Sequence, residues 1–326
     1  MSFAVISDLH ANYPALEAVF KDMASLQAVT RIDSIFCLGD IIGYGCQPVE
    51  VIKLLTQKVK ATNVIRGNHE EIYWGDIDQG EGVNPKVLLM IAYNKYLIEQ
   101  DQFASNYMQK LAEKSTHYKT FQTRSFTVVL SHNGPLVNYF NYRMPWHIEV
   151  LLPDLMIEFH GTEKVKCNLL TKLLNRKKKL YFFGHTHFPT LFYYDKKKQS
   201  PESLKLTPNS TFEIDSCNCE ALLINPGSVG YSRDGNPDAS YMIVDEEKRL
   251  IHYRRVPYEL DAKCYVDAKK WLLDYYPEKN KLGLIRIQDM VNEVQRTTRY
   301  GEFGGNPDKL VDVAWREYYN LDNKNE

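Results

Sequence analysis

No stretch of this 326-residue sequence approaches the roughly 20 consecutive apolar residues that span a bilayer, so a membrane helix is excluded. An excess of charge of one sign is missing too. Formal net charge is −1, and no global field draws the chain to a nucleic-acid polymer or an anionic membrane. The two basic clusters, residues 176–179 and 196–198, are short, flank apolar runs and read as solvated turns. The start lacks the basic region and long apolar stretch of a signal peptide, because Asp8 and His10 cut the run Phe3-Ala4-Val5-Ile6. CxxC spacing is absent among the six cysteines (37, 46, 167, 217, 219 and 264), and Cys217 and Cys219, one residue apart, make a poor zinc clip. They are expected as reduced thiols in a cytoplasmic protein. Internal repeats and low-complexity segments are also lacking. What remains, 44% hydrophobic and 25% charged, is the make-up of a globular protein with room for one large core or two smaller ones.

What is present is an alternation of short apolar runs, polar or glycine-containing corners and helical patterns. Phe3–Ser7, Ser34–Leu38 and Thr62–Arg66 read as buried strands. Between them, Asn12 and Pro14 open one amphipathic helix, and Pro48–Lys58 is another. Val83–Leu111 reads as helical. Phe126–Leu130 and Leu180–Phe183 are strands that each end at a histidine. The segment Thr190–Pro257 is strand-rich and closes on a hairpin, Ser240–Asp245 with Leu250–Val256. The pattern predicts an α/β sandwich over residues 1–257, with 133–179 as a cap insertion, and a helical extension over 258–326. Trp271, Leu272, Tyr275 and Tyr276 give that extension an apolar face, for packing on the sandwich or for a homo-oligomer contact through the C-terminal helices.

The chemistry-bearing residues sit in the corners after the strands. They are Asp8-Leu9-His10, Gly39-Asp40, Gly67-Asn68-His69-Glu70, Ser131-His132 and Gly184-His185-Thr186-His187. Open α/β sheets bind ligands at the carboxyl ends of their strands. A lone aspartate at such a place is usually a turn former, and a lone histidine usually packs. Five of the nine histidines in these corners point instead to a shared metal site. Alternation along a strand would aim both members of an Asp-x-His or His-x-His pair at one ion. Mixed carboxylate, imidazole and amide donors suit Mn²⁺, Fe, Zn²⁺ or Ni²⁺ and not Ca²⁺.

The ordered set DxH…GD…GNHE…H…GHTH resembles the calcineurin-like metallophosphoesterase superfamily. Asn225-Pro226-Gly227-Ser228-Val229-Gly230 is similar to a segment of its smaller bacterial and archaeal branch. The resemblance covers about residues 1–257 and implies a four-layer α/β/β/α sandwich of two packed mixed sheets. It implies two divalent transition-metal ions, manganese first among them. Asp8, His10 and His187 would hold one, Asn68, His132 and His185 the other, and Asp40 would bridge. It also implies hydrolysis of a phosphate ester by in-line attack of a metal-bound hydroxide, with His69 as the catalytic residue at the leaving oxygen.

One departure bears on the substrate. Many members read GDxxDRG, where the second Asp orients the catalytic His and the Arg grips phosphate; here Gly43 and Tyr44 stand in those places. Tyr44 and Arg233 are candidate substrate-binding residues, against packing for the tyrosine and a surface turn for the arginine. Arg66 reads as structural, and Arg143, Trp146, His147 and His160 as lid-shaping or packing residues of the insertion. The expected partner is a small-molecule phosphate ester. Loss of the motif arginine favours a phosphodiester over a phosphomonoester, and a non-catalytic scaffold ranks last because all seven ligand positions and His69 are intact.

Overall fold

The first apolar run forms β1 (Ser2–Ile6), buried from Phe3 onward, in a computed structural model that describes residues 1–26, 31–76, 85–133, 177–198, 200–204 and 206–277. The Asn12 side chain then accepts a hydrogen bond from the Ala15 amide at 3.3 Å. That cap starts α1 (Tyr13–Leu26), which buries Leu16, Val19, Phe20 and Met23. β2 (Ser34–Cys37) pairs in parallel with β1. α2 (Pro48–Lys58) follows, with Val51, Ile52 and Leu55 inward. The short helix α3 (Asn68–Trp74) comes next, then α4 (Pro85–Gln100) and α5 (Gln102–Lys114). The remaining strands are β3 (Tyr118–Gln122), β4 (Phe126–Ser131), β5 (Lys178–Phe182), β6 (Thr190–Asp195), β7 (Ser200–Leu204), β8 (Thr211–Glu213), β9 (Ala221–Asn225), β10 (Ala239–Asp245) and β11 (Leu250–Val256), followed by helix α6 (Ala262–Tyr275).

These strands make two mixed sheets, ordered β2-β1-β10-β11-β8 and β3-β4-β5-β9-β6-β7. Their facing sides share one apolar core: Phe3, Val5, Phe36, Met242 and Val244 from the first meet Phe126, Val128, Leu180, Phe182 and Leu222 from the second. The other side of the first sheet, with Ala4, Ile6, Tyr241 and Ile243, is covered by α1, α2 and α5 through Leu16, Leu55, Met108 and Leu111. Three of the four expected layers are thus formed by described residues. No helix among the described residues is long and apolar enough to cross a membrane.

Three expectations change, and one strand stands where none was expected. Thr62–Arg66 is not a strand: a 3-10 turn occupies Ala61–Asn63, and only Val64 makes a bridge, to Cys37. The helix predicted from Val83 to Leu111 is two helices. Asp101 interrupts it and caps α5, its carboxylate accepting from the Ala104 amide at 2.9 Å. β3, which has weak apolar alternation, is present as an edge strand antiparallel to β4. The six cysteines are not all free: Cys46 and Cys264, 218 residues apart, form a disulfide, while Cys37, Cys217 and Cys219 are free thiols. That bond ties α6 to the corner after β2. Tyr265, Ala268 and Leu272 of α6 pack there with Val87, Ile91 and Tyr93 of α4 and with Tyr44. Residues 134–176 of the expected insertion, with Arg143, Trp146, His147 and His160, lie outside the described residues, as do positions 278–326.

Candidate metal centre

The loops after β1, β2, β4 and β5 and the start of α3 bring all seven predicted ligands together. Asp8, His10, Asp40 and His187 offer atoms that lie within 4.8 Å of one another, and so do Asp40, His132 and His185. The two groups share Asp40. Asn68 joins the second, its Oδ1 lying 3.1 Å from His132 Nε2 and 2.8 Å from His185 Nδ1. In the first group, His187 Nε2 is 3.2 Å from Asp8 Oδ1, and in the second His132 Nε2 is 3.3 Å from Asp40 Oδ2. Apart from Asn68, every one of these residues is buried.

Their convergence does not come from strand alternation. Asp8, His10, Asp40, His185 and His187 all have positive φ, between 45° and 66°. The chain leaves each strand by a left-handed turn, and that turn aims both members of each pair inward. An L-residue in this region costs about 1 kcal/mol or more. Five such residues in one cavity mark a place where the fold tolerates strain to set side-chain direction.

Backbone carbonyls hold three of the imidazoles. His10 Nδ1 donates to Ile42 O at 3.1 Å, His132 Nδ1 to Leu38 O at 2.9 Å and His187 Nδ1 to Tyr231 O at 2.6 Å. A carbonyl can only accept, so the proton is on Nδ1, and the Nε2 lone pair of a neutral ring faces the cluster. Burial, with neighbouring imidazoles, holds His10 well below the usual range. Burial with the nearby Arg233 charge does the same for His187, and burial with His132 brings His185 to about 3. These rings are therefore neutral, the form that binds a metal. His132 differs. Burial opposes its charge, but the Asp40 carboxylate overrides that and pushes it up to about 9.

The donor set fits divalent cations on two further observations. His10 Nε2 and His187 Nε2 face each other at 3.0 Å, and two lone pairs at that distance repel unless a cation or proton lies between them. Asp8 Oδ2 is buried with no hydrogen-bond partner among the described residues, a cost that a bound ion would remove.

His69 sits at the rim of this cluster. Its Nε2 is 3.7 Å from Asp40 Oδ2, its backbone amide donates to Asp40 Oδ1 at 3.0 Å, and its buried Nδ1 has no hydrogen-bond partner among the described residues. Burial lowers its pKa. Tyr44 lies against it, ring centroids 5.2 Å apart, stacked on Tyr231 at 3.7 Å. The Tyr44 hydroxyl accepts from Arg233 Nη2 at 3.0 Å, so the two candidate substrate-binding residues are joined. Arg66 lies outside the site and donates to the carbonyls of Ala112 and Ser115.

Several supporting residues carried no assigned role in the sequence. Glu70 of GNHE, fully buried, accepts from the amides of Asp40, Ile41, Ile42 and Gly67 at 2.7–3.3 Å and so fastens the β2 corner to α3. In the NPGSVG segment, Asn225 Nδ2 donates to Gly184 O and Thr186 Oγ1, and Ser228 Oγ donates to Asp8 O. The segment thus ties the first and last metal corners together. Asn94 of α4, whose side chain accepts from Gly43 N and donates to Gly45 O, had no sequence signal, since a lone asparagine in a helix reads as solvent-facing.

Comparison with known proteins identifies the family and the fold. The model of the calcineurin-like phosphoesterase family matches residues 1–189. An uncharacterised protein of Methanocaldococcus jannaschii is 29% identical over 280 residues, 86% of this chain and 97% of its own. The crystal structure of a metallophosphoesterase from Sphaerobacter thermophilus is similar with TM-score 0.58 and 25% identity, over 90% of this chain and 98% of that one. A hypothetical protein from Pyrococcus horikoshii has the same fold, with TM-score 0.56 and 16% identity over the same shares.

Proposed function

Because the chain belongs to the calcineurin-like phosphoesterase family and is similar in structure to a metallophosphoesterase, we propose that its site cleaves a small or nucleotide phosphodiester. The observation that carries this reading is the β2 corner. Gly43 and Tyr44 stand where GDxxDRG members have Asp and Arg, and the guanidinium near the histidines, Arg233, comes from the loop before β10 with Tyr44 as a hydrogen-bond partner. A diester phosphate carries one negative charge and a monoester close to two, so a site with the weaker cationic grip suits the diester.

In this reading Asp8, His10 and His187 hold one ion, Asn68, His132 and His185 the other, and Asp40 is shared. Ions of the Mn²⁺, Fe, Zn²⁺ or Ni²⁺ type, with manganese the first to add, would supply an activated water and neutralise phosphate charge. The chain's own residues do the rest. Arg233 and Tyr44 orient a non-bridging oxygen. His69, neutral through burial, presents Nε2–H to the leaving oxygen as charge develops there. The proposed location is the cytoplasm, which the free thiols of Cys37, Cys217 and Cys219 support.

Chelator-stripped protein supplied with each ion in turn should hydrolyse a chromogenic diester with kcat/KM at least about tenfold above that for the matching monoester. A monoester preferred over the diester would overturn the diester assignment while leaving the metal chemistry standing.

A further inference from the structure

The corner that faces His69 contains neither the carboxylate nor the arginine that organise it in GDxxDRG members, yet the backbone amides of residues 40–43 all have side-chain acceptors. Glu70 takes the amides of residues 40–42. The next amide, Gly43 N–H, donates to Asn94 Oδ1 at 2.9 Å, and Asn94 Nδ2 donates to Gly45 O at 2.8 Å. Asn94 projects from the middle of α4 and is fully buried. A side-chain amide pairs a donor with an acceptor on one planar group, which is what a buried N–H and C=O on either side of a single residue require. The residue between them is Tyr44.

The corner touches the reacting group directly. A Cβ built on Gly43 would fall 2.1 Å from His69 Nδ1, so the Gly43 backbone lies flat against that imidazole. The Tyr44 ring packs on His10 at 4.8 Å and on His69 at 5.2 Å, and its hydroxyl receives Arg233. Gly43 itself has φ +131°, a backbone that needs restraint to persist. We propose that Asn94 is a positioning residue of this site, fixing the Gly43–Gly45 corner so that the corner, in place of a motif carboxylate, sets the orientation of His69. Unlike a motif carboxylate, this device gives His69 Nδ1 no hydrogen-bond partner among the described residues.

The inference rests on the reading of His69 as the group at the leaving oxygen, and the test separates the two. Asn94→Leu and Asn94→Asp are compared with the parent in the metal-loaded full chain, using diesters with activated and unactivated aryl leaving groups. The aspartate keeps the Gly43 bond and loses the Gly45 bond, and it carries the measurement if the leucine variant does not fold. The expected result is a kcat loss of at least about tenfold on the unactivated ester and under about threefold on the activated one, because only the former needs help at the leaving oxygen. In a His69→Ala background the Asn94 change should cost nothing further. The Gly43 amide in Asn94→Leu, and the Gly45 region in both variants, should exchange with solvent at least about tenfold faster while global unfolding stays slow. Equal losses on both esters, full additivity with His69→Ala, or unchanged exchange would overturn the proposal. His69→Ala without loss on either ester would sink the reading of His69 and this inference with it.

Discussion

Asp40→Asn is expected to lower kcat/KM by at least about 10³, or about 4 kcal/mol of transition-state stabilisation, with the fold retained. The asparagine keeps the Oδ1 acceptor that receives the His69 amide, so the local structure has no reason to collapse. What it loses is the carboxylate charge shared by the two clusters of ligand atoms. Metal content should drop from about two ions per chain to one or fewer. A second readout concerns the metal-free protein. Burial opposes protonation of His132, and the Asp40 carboxylate is what carries its pKa to about 9. Without that charge burial dominates, so the His132 titration, followed by NMR, should move down from about 9. Full metal content with an unchanged His132 would mean that Asp40 does not couple the two halves.

Gly43→Asp restores the residue found in GDxxDRG members, and it is expected to lower kcat by at least about 100-fold, close to 2.7 kcal/mol. Gly43 has φ +131°, where a side chain is strained by about 1–3 kcal/mol. Its Cβ would meet His69 Nδ1 at 2.1 Å and His10 Nδ1 at 2.8 Å. Neither neighbour is a flexible tip: His10 is tied to Ile42 O, and His69 is wedged between His10 and Tyr44. The ring must therefore move away from the leaving oxygen. Gly43→Ala should show the same loss, because the clash lies at Cβ and not in the charge. Steady-state kinetics with metal content and melting temperature measured in parallel would check it. A gain in kcat for the aspartate would show that this corner can be rebuilt on the GDxxDRG plan.

The corner motifs were legible because strand ends are short, ordered in sequence and chemically loud: an apolar run followed by Asp-x-His or His-x-His has few other readings. How the pairs converge was not legible, since left-handed φ at Asp8, His10, Asp40, His185 and His187 leaves no mark in residue type. The sandwich followed from the apolar runs, with errors where tertiary contacts decide. Val64 is extended and bridges Cys37, but the Arg66 backbone amide donates to Thr116 O, so no ladder forms. The helical pattern from Val83 to Leu111 ran through Asp101, whose capping role depends on which turn it ends. Partners distant in sequence were invisible. Nothing local links Cys46 with Cys264, or Asn94 with Gly43 and Gly45, and Tyr44 with Arg233 is a pair only once β9 and the NPGSVG segment fold onto the first corner. Glu70 stood in a quoted motif, yet its four backbone donors come from a corner about 30 residues upstream and from its own N-cap.

Asp8, His10, Asp40, Asn68, His132, His185 and His187 are expected to hold two ions through one shared carboxylate, that of Asp40. Crystals of the full chain grown with Mn²⁺ and measured at the manganese edge test it most directly. Two anomalous peaks about 3.5–4 Å apart are expected. One should be surrounded by Asp8, His10 and His187, the other by Asn68, His132 and His185, with Asp40 between them. A single peak, or peaks away from Asp40, would contradict it.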